Sequence, residues 1–367
     1  MKLNKVTREE LLIPLSSVSG IVERKHTLAV LSNVLLETKD NRLWMTAMDM
    51  ELQISAYREL KTEDEEAATV SARKLQDLLR ALPEDASISV ETKGNKISVK
   101  AGRSRFNLQT LPAQDFPRLA SHQENEIKFT LTQKNLKALI KQVEFAMAQQ
   151  DIRFYLNGML WVIHESTLQL VATDGHRLAW GKLPVEGNFA KQEVILPRKA
   201  VTELSKLLSD ADETIEVAIQ QNQVRFSFGA IEIISKVIDG KFPDFTRVIP
   251  SGYTKHIELN RQVLLDALQR AAVLSNEKVR GVHLMFSKNE LKIVCNNNEQ
   301  EEAEEQLEVA YEAEELSIGF NITYLLDALQ RLNADKIIVS LDRPENSALI
   351  TVPDNENYKY VVMPMKI

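Results

Sequence analysis

The residues best equipped for chemistry stand at Asp174-Gly175-His176, with Ser166 and Thr173 nearby as possible nucleophiles. Acyl-transfer chemistry needs a nucleophile, a base and an orienting carboxylate within reach of one another. Here the Asp-Gly pair follows the strand-like run Leu168-Gln-Leu-Val171 and reads more simply as a turn. Neither a GxxxxGK phosphate loop nor a GxGxxG element occurs. The six histidines (His26, His122, His164, His176, His256 and His283) show no metal-ligand spacing. Cys295 is the only cysteine, so an internal disulfide is impossible and a reducing cytoplasm fits. The N-terminus has no signal-peptide core, and no apolar run reaches membrane length. The chain is therefore expected to be cytoplasmic, not an enzyme, and free of metal and cofactor.

The elements around that turn recur. Leu75, Leu78, Leu79 and Leu82 fall at helical spacing behind Ser71, a capping residue, and ahead of Pro83, a stop. Leu196-Pro-Arg-Lys-Ala-Val-Thr-Glu-Leu-Ser-Lys-Leu-Leu208 and Phe320-Asn-Ile-Thr-Tyr-Leu-Leu-Asp-Ala-Leu-Gln-Arg-Leu332 repeat the pattern, each copy about 125 residues after the last. An earlier helix opens each unit. Its start is read at Thr7 with Glu10 in capping-box spacing, at Thr130 with Gln133, and near Asn260. Phe116-Pro117 returns as Phe242-Pro243, and Thr46-Ala-Met-Asp49 as Val171-Ala-Thr-Asp174, with Asn296-Asn297 in the third place. Alternating runs such as Val34-Leu-Leu-Glu37 and Leu291-Lys-Ile-Val294 read as strands. The expectation is an α+β chain of three repeated domains, 1–125, 126–253 and 254–367, each with two helices packed on antiparallel sheet.

Charge is segregated. The net charge of −7 argues against nucleic acid when taken alone. Yet nine glutamates and no lysine or arginine lie between Glu299 and Glu315, while Lys128, Lys134, Lys137, Lys141 and Arg153 face only Glu144 and Asp151 in their own stretch. Ala101-Gly-Arg-Ser-Arg-Phe-Asn-Leu-Gln109 alternates, which predicts Arg103 and Arg105 on one strand face and Phe106 and Leu108 on the other. The acidic run from Glu301 to Val309 predicts a strand of crowded like charges. Two such edges would complement each other across two copies of the chain.

Several longer motifs occur together and in order: Gly102-Arg-Ser-Arg-Phe106, Tyr155-Leu-Asn-Gly-Met159, Val171-Ala-Thr-Asp-Gly-His-Arg-Leu178, Phe242-Pro-Asp-Phe-Thr-Arg247, Leu274-Ser-Asn-Glu-Lys278, Glu299-Gln-Glu-Glu-Ala-Glu-Glu305 and Tyr360-Val-Val-Met-Pro-Met-Lys-Ile367. As a set they resemble the bacterial β sliding clamp family, from Leu11 to Ile367.

The resemblance implies a head-to-tail homodimeric ring whose helices line a hole for duplex DNA, held without sequence preference. It implies a clamp loader as partner, and replicative and repair polymerases docking by a short linear motif. It assigns DNA contact to Lys25, Arg73, Gln150, Phe154 and Tyr155; Lys25 stands where arginine is familiar, and Phe154 begins what is often a tyrosine pair. A partner-peptide pocket would comprise Leu156, Thr173, Gly175, His176, Arg177, Leu178, Pro243, Arg247, Val248, Val361, Met363, Pro364 and Met365. The dimer interface would use Lys74, Lys96, Arg103, Arg105, Phe106, Leu108, Val273 and Leu274 against Glu299, Glu301, Glu302, Glu304 and Glu305. A protein-only scaffold and a hydrolase centred on Asp174 and His176 are the alternatives.

Overall fold

Thr7 ends one element and begins the next. Its side chain accepts from the Glu10 N–H at 3.2 Å, and the Glu10 carboxylate accepts from the Thr7 N–H at 2.7 Å. This capping box turns strand β1 (Lys2–Thr7) into helix α1 (Arg8–Ser19). The structure is a computed structural model and describes residues 1–23, 27–62, 65–120 and 126–367. The first repeat continues through β2 (Asn33–Lys39), β3 (Arg42–Met48), β4 (Leu52–Glu59), β5 (Glu66–Ser71), α2 (Ala72–Ala81), β6 (Ser87–Lys93), β7 (Lys96–Ala101) and β8 (Ser104–Leu111).

The second repeat runs β9 (Ile127–Thr132), α3 (Gln133–Val143), β10 (Gly158–Thr173), β11 (Arg177–Pro197), α4 (Arg198–Leu207), β12 (Thr214–Ile219), β13 (Gln223–Phe228) and β14 (Ile231–Lys236). The third runs β15 (Lys255–Asn260), α5 (Arg261–Ala272), β16 (Gly281–Ser287), β17 (Glu290–Asn296), β18 (Glu302–Glu308), β19 (Leu316–Asn321), α6 (Ile322–Arg331), β20 (Lys336–Leu341), β21 (Ala348–Val352) and β22 (Asn355–Val362). Asn260 and Asn321 cap their helices, accepting from Val263 N–H at 3.0 Å and Thr323 N–H at 2.9 Å.

Two expectations need correction. A strand, not a helix, opens every repeat. In the second, Thr130 lies inside β9 and Gln133 is no capping-box partner. The buried Gln133 carboxamide instead accepts from the Ser209 N–H at 3.0 Å and donates to Glu213 at 3.2 Å. A tertiary demand has claimed the side chain that the spacing offered to a cap. The second repeat also fuses its short strands into a long hairpin, with 16 residues in β10 and 21 in β11. Register shifts around Glu165 let this ribbon bend.

By packing the chain forms two compact units, Met1–Lys134 with Thr202–Val237, and Asn135–Val201 with Ile238–Ile367. The first contains one sheet of order β1-β6-β7-β8-β5-β2-β3-β4-β14-β13-β12-β9. The second contains β10-β11-β22-β21-β20-β15 and, apart from it, β18-β17-β16-β19. The second repeat is thus shared between units, because its closing strand β14 pairs with β4 and its hairpin strand β11 pairs with β22. Helix stripes face these sheets: Leu75 and Leu79 of α2 are buried, as are Leu325 and Leu329 of α6. Each such leucine contributes roughly 1.5–3 kcal/mol by leaving water.

One charged group is buried in the first unit's sheet. Arg225 on β13 lies 3.2 Å from Glu216, 3.5 Å from Glu126 and 3.8 Å from Glu232. The Glu126 carboxyl is held down at about 2, first by its hydrogen bond with Lys128 and then, against the cost of burial, by Gln220 and Arg225. A depressed carboxyl pKa stabilises the fold above the unfolded value of 4.5, and the gain is lost as pH falls toward about 2. Glu126→Gln is therefore expected to cost about 1–2 kcal/mol at pH 7. The difference from the parent should shrink below about pH 4.5 and vanish near pH 2, as read by urea melts across that range.

Candidate functional sites

The Asp174 turn is built as an Asx turn. Asp174 Oδ1 accepts from the N–H of His176 at 2.9 Å and of Arg177 at 3.1 Å, and Gly175 takes φ +90°. That φ favours glycine, and a Cβ there would also displace the Arg153 guanidinium, whose Nη2 would lie 2.9 Å away. Thr173 Oγ1 donates to the Arg177 carbonyl at 2.6 Å, and His176 is exposed with its carbonyl accepting from the Met363 N–H at 2.9 Å. Asp174 is occupied by the turn and by Arg177, and Asp151 by Arg153.

Arg177 is a wall rather than a rim group. Its guanidinium bonds Asp174 at 3.0 Å, Asp327 at 2.7 Å and the Phe145 carbonyl at 2.8 Å, and it lies over the Tyr324 ring at 4.3 Å. Five donors in a fixed fork suit it to this hub, which ties the turn to helix α6. Leu156, Leu178 and Val361 are buried in one hydrophobic cluster with Val171, Trp180 and Phe242. Pro243, Arg247, Val248 and Met363 are exposed, and Pro364 and Met365 half-buried. Arg247 is paired with Asp244 at 3.0 Å. The chain end beyond Met365 is anchored: Met365 N–H donates to the Gly319 carbonyl at 2.8 Å, and Ile367 rests on Gly281 and Gly319. Beside this pocket, Leu160, Val162, Gln169 and the Phe242–Thr246 turn line a cleft of about 460 Å³.

Of the nucleic-acid candidates, Lys25 lies outside the described residues. Arg73 is exposed on α2 with Asp77 at 3.6 Å. Gln150 is exposed at φ +56°, and Phe154 stands 56% exposed with its edge toward the half-buried Tyr155. That exposure removes core packing as the reason for Phe154. The loop carrying it is stiffened by Asp151 and Asn157, which exchange hydrogen bonds of 2.9 Å. Arg153, bonded to the Asp151 carboxylate, holds that carboxyl at about 2. Ile152 is almost wholly exposed at the same tip, an apolar residue that pattern reading passed over.

The two charged edges differ from expectation in detail. Arg105 lies on the exposed face of β8 with Phe106 and Leu108 half-buried opposite, but Arg103 sits in the turn before the strand. Lys74 and Lys96 are exposed. On β18, Glu302 and Glu304 point outward with Glu308, whereas Glu305 faces inward and is bonded by Arg270 at 2.7 and 2.8 Å. Lys292 pairs with Glu304 at 2.7 Å. The acidic crowd is thereby halved within the chain. Glu299 and Glu301 lie in the preceding turn, where the Asn297 side chain accepts from both N–H groups. Val273, 78% exposed, and half-buried Leu274 end α5.

Among the described residues no group of three histidine, cysteine or acidic side chains converges as a metal site, and no helix is long and apolar enough to cross a membrane. Three α+β repeats, with an apolar cluster flanking the Asp174 turn and oppositely charged strands in the first and third repeats, define a clamp-type repeat protein. Comparison with known proteins agrees. The DNA polymerase III beta subunit family matches by its N-terminal domain over residues 1–120, its central domain over 130–244 and its C-terminal domain over 246–366. A beta sliding clamp of Salmonella typhimurium is 46% identical over 363 residues, 99% of each chain. The crystal structure of the DNA polymerase III subunit beta from Pseudomonas aeruginosa superposes with a TM-score of 0.96 at 44% identity, covering 100% of both chains. Another Pseudomonas aeruginosa sliding clamp structure, with the same figures, is bound to griselimycin. The chain belongs to the family of bacterial DNA polymerase III beta subunits, the beta sliding clamps.

Asp327 was not foreseen, since it lies 150 residues from Arg177 in sequence. Asp327→Ala is expected to lower stability by about 2 kcal/mol, as a charged hydrogen bond to a buried guanidinium is lost. Chemical melts of the full chain give the measurement.

Proposed function

We propose that the chain is the processivity clamp of a replicative DNA polymerase, closed by two copies joined head to tail around duplex DNA. The observation that carries the closure is a pair of unfinished sheet edges. β14 finishes beside β4, and β22 beside β11. By the same repeat logic β8 of one copy belongs beside β18 of another. β18 is an edge strand, and β8 pairs with β5 only at Thr69–Leu111 and Val70–Thr110. Unpaired edges demand cover. Arg103, Arg105, Lys74 and Lys96 would meet Glu299, Glu301, Glu302 and Glu304, with Phe106, Leu108, Val273 and Leu274 as the apolar centre. Glu305, already held by Arg270, contributes least.

In this reading domains 1–125, 126–253 and 254–367 each turn their helices to the duplex. Arg73, Gln150, Phe154 and Tyr155 touch backbone and sugar without reading bases, and Lys25 joins them. Grip is then weak and salt-sensitive, while encirclement prevents escape. The pocket from Leu156 to Met365 takes a short linear segment of polymerases and of a clamp loader. Adaptable methionines over a rigid apolar floor suit several ligands. A ligand-bound relative supports a binding role for this fold. The protein acts without catalysis or cofactor, in the cytoplasm.

The decisive experiment is loader-dependent retention on nicked circular DNA. Loaded protein should stay on the circle through about 0.5 M salt, where phosphate contacts alone are largely lost, and leave once the circle is cut. Retention on linear DNA without end-blocks would refute encirclement. Arg105→Glu should shift the sedimentation of the dimer toward monomer, and Glu302→Arg in the same chain should restore it. An unchanged dimer in the single variant would refute the edge pairing.

A further inference from the structure

The turn that shapes the docking pocket occurs twice. In the first repeat Asp49 Oδ1 accepts from the N–H of Glu51 at 3.1 Å and of Leu52 at 2.8 Å, as Asp174 does from His176 and Arg177. The Lys236 N–H bonds the Glu51 carbonyl at 2.8 Å, as the Met363 N–H bonds that of His176. Leu31, Leu35 and Phe116 share a buried cluster with Val30 and Met48, matching Leu156, Leu160 and Phe242. In this register Met50 stands for Gly175, Leu28 for Arg153, Pro117 for Pro243 and Asp115 for Lys241.

Met50 is the anomaly. It takes φ +78°, the left-handed region that Gly175 occupies freely and a side chain resists. Burial gives it no compensation, for it is 39% exposed, beside Leu28 at 49% and Leu111 at 39%. With Val30, Asp115 and Pro117 these line a cleft of about 340 Å³. Replacing Arg153 by Leu28 explains why a side chain is tolerated there. It does not explain why a strained methionine was kept over open apolar space.

We propose that this cleft is a second docking groove, for an extended protein segment with adjacent apolar side chains and a basic residue beside them. The turn and the buried cluster repeat those of the second repeat, and a thioether over an apolar floor adapts to such side chains. The charge is reversed: exposed Asp115 and Glu51 hold the places of Lys241 and His176. A segment with basic flanks fits here, and one with acidic flanks is repelled. The inference rests on the proposed function only for the class of ligand.

The test uses the full chain with ¹³C-labelled methionine methyls, titrated with the capped hexapeptide Lys-Leu-Ser-Leu-Phe-Lys. Met50 is assigned by the resonance missing from Met50→Leu. The expected result is a saturable shift at Met50, weakened about tenfold in Asp115→Lys. Met50→Gly should meanwhile melt no lower than the parent, because the strain is released. A Met50 signal unmoved by millimolar peptide overturns the groove. So does unchanged affinity in Asp115→Lys, or a shift that follows protein concentration without peptide, which would mark self-association. Shifts at Met363 and Met365 alone refute only this groove, whereas shifts at Met50 alone refute only the pocket of the second repeat.

Discussion

Backbone hydrogen bonding at sheet edges is the constraint on which the structure depends. The second and third repeats each end in a strand that pairs with the repeat before it: β14 on β4, β22 on β11. A buried amide left unpaired costs as much as a lost hydrogen bond, so these junctions are continuous sheet rather than touching surfaces. The division into two compact units follows directly, since the second repeat gives one strand set to each neighbour. β18 is an edge strand, and β8, at the end of the first repeat, pairs with β5 only through its last two residues. Arg105 stands outward on β8, and Glu302 and Glu304 on β18.

The same constraint locates the candidate site. Where β22 leaves its ladder with β11, its last bond runs from Met363 to the His176 carbonyl, and the chain turns across the apolar cluster. The same backbone bond recurs in the first repeat, from Lys236 to the Glu51 carbonyl. What differs between the two turns is side-chain choice: arginine and glycine in one, leucine and methionine in the other. Repetition supplies the turn, and substitution sets its charge.

Arg177 shows how such a site stays rigid. Its guanidinium joins a turn, a helix and a loop carbonyl, so the pocket wall does not depend on loop packing alone. Arg225 does comparable work in the other unit, where three carboxylates surround it. Both are buried charges with several partners, the condition under which burial of charge is tolerable. Neither arrangement resembles an acid–base pair poised for catalysis.

The sequence by itself determined the number of repeats, the helix stripes, the turn at Asp174 and the segregation of charge, because each follows from periodicity or from contacts a few residues apart. The motif set carried the family likewise. Tertiary structure alone decided that strands open the repeats, that Gln133 serves Ser209 rather than a cap, and that Glu305 is neutralised by Arg270 while Glu302 is left outward. It also decided that Leu156, Leu178 and Val361 share one buried cluster and that Asp327 holds Arg177. These depend on which face of a strand meets which neighbour, and on partners up to 150 residues away. Local spacing contains no record of such distances; only the closing of the sheets brings them together.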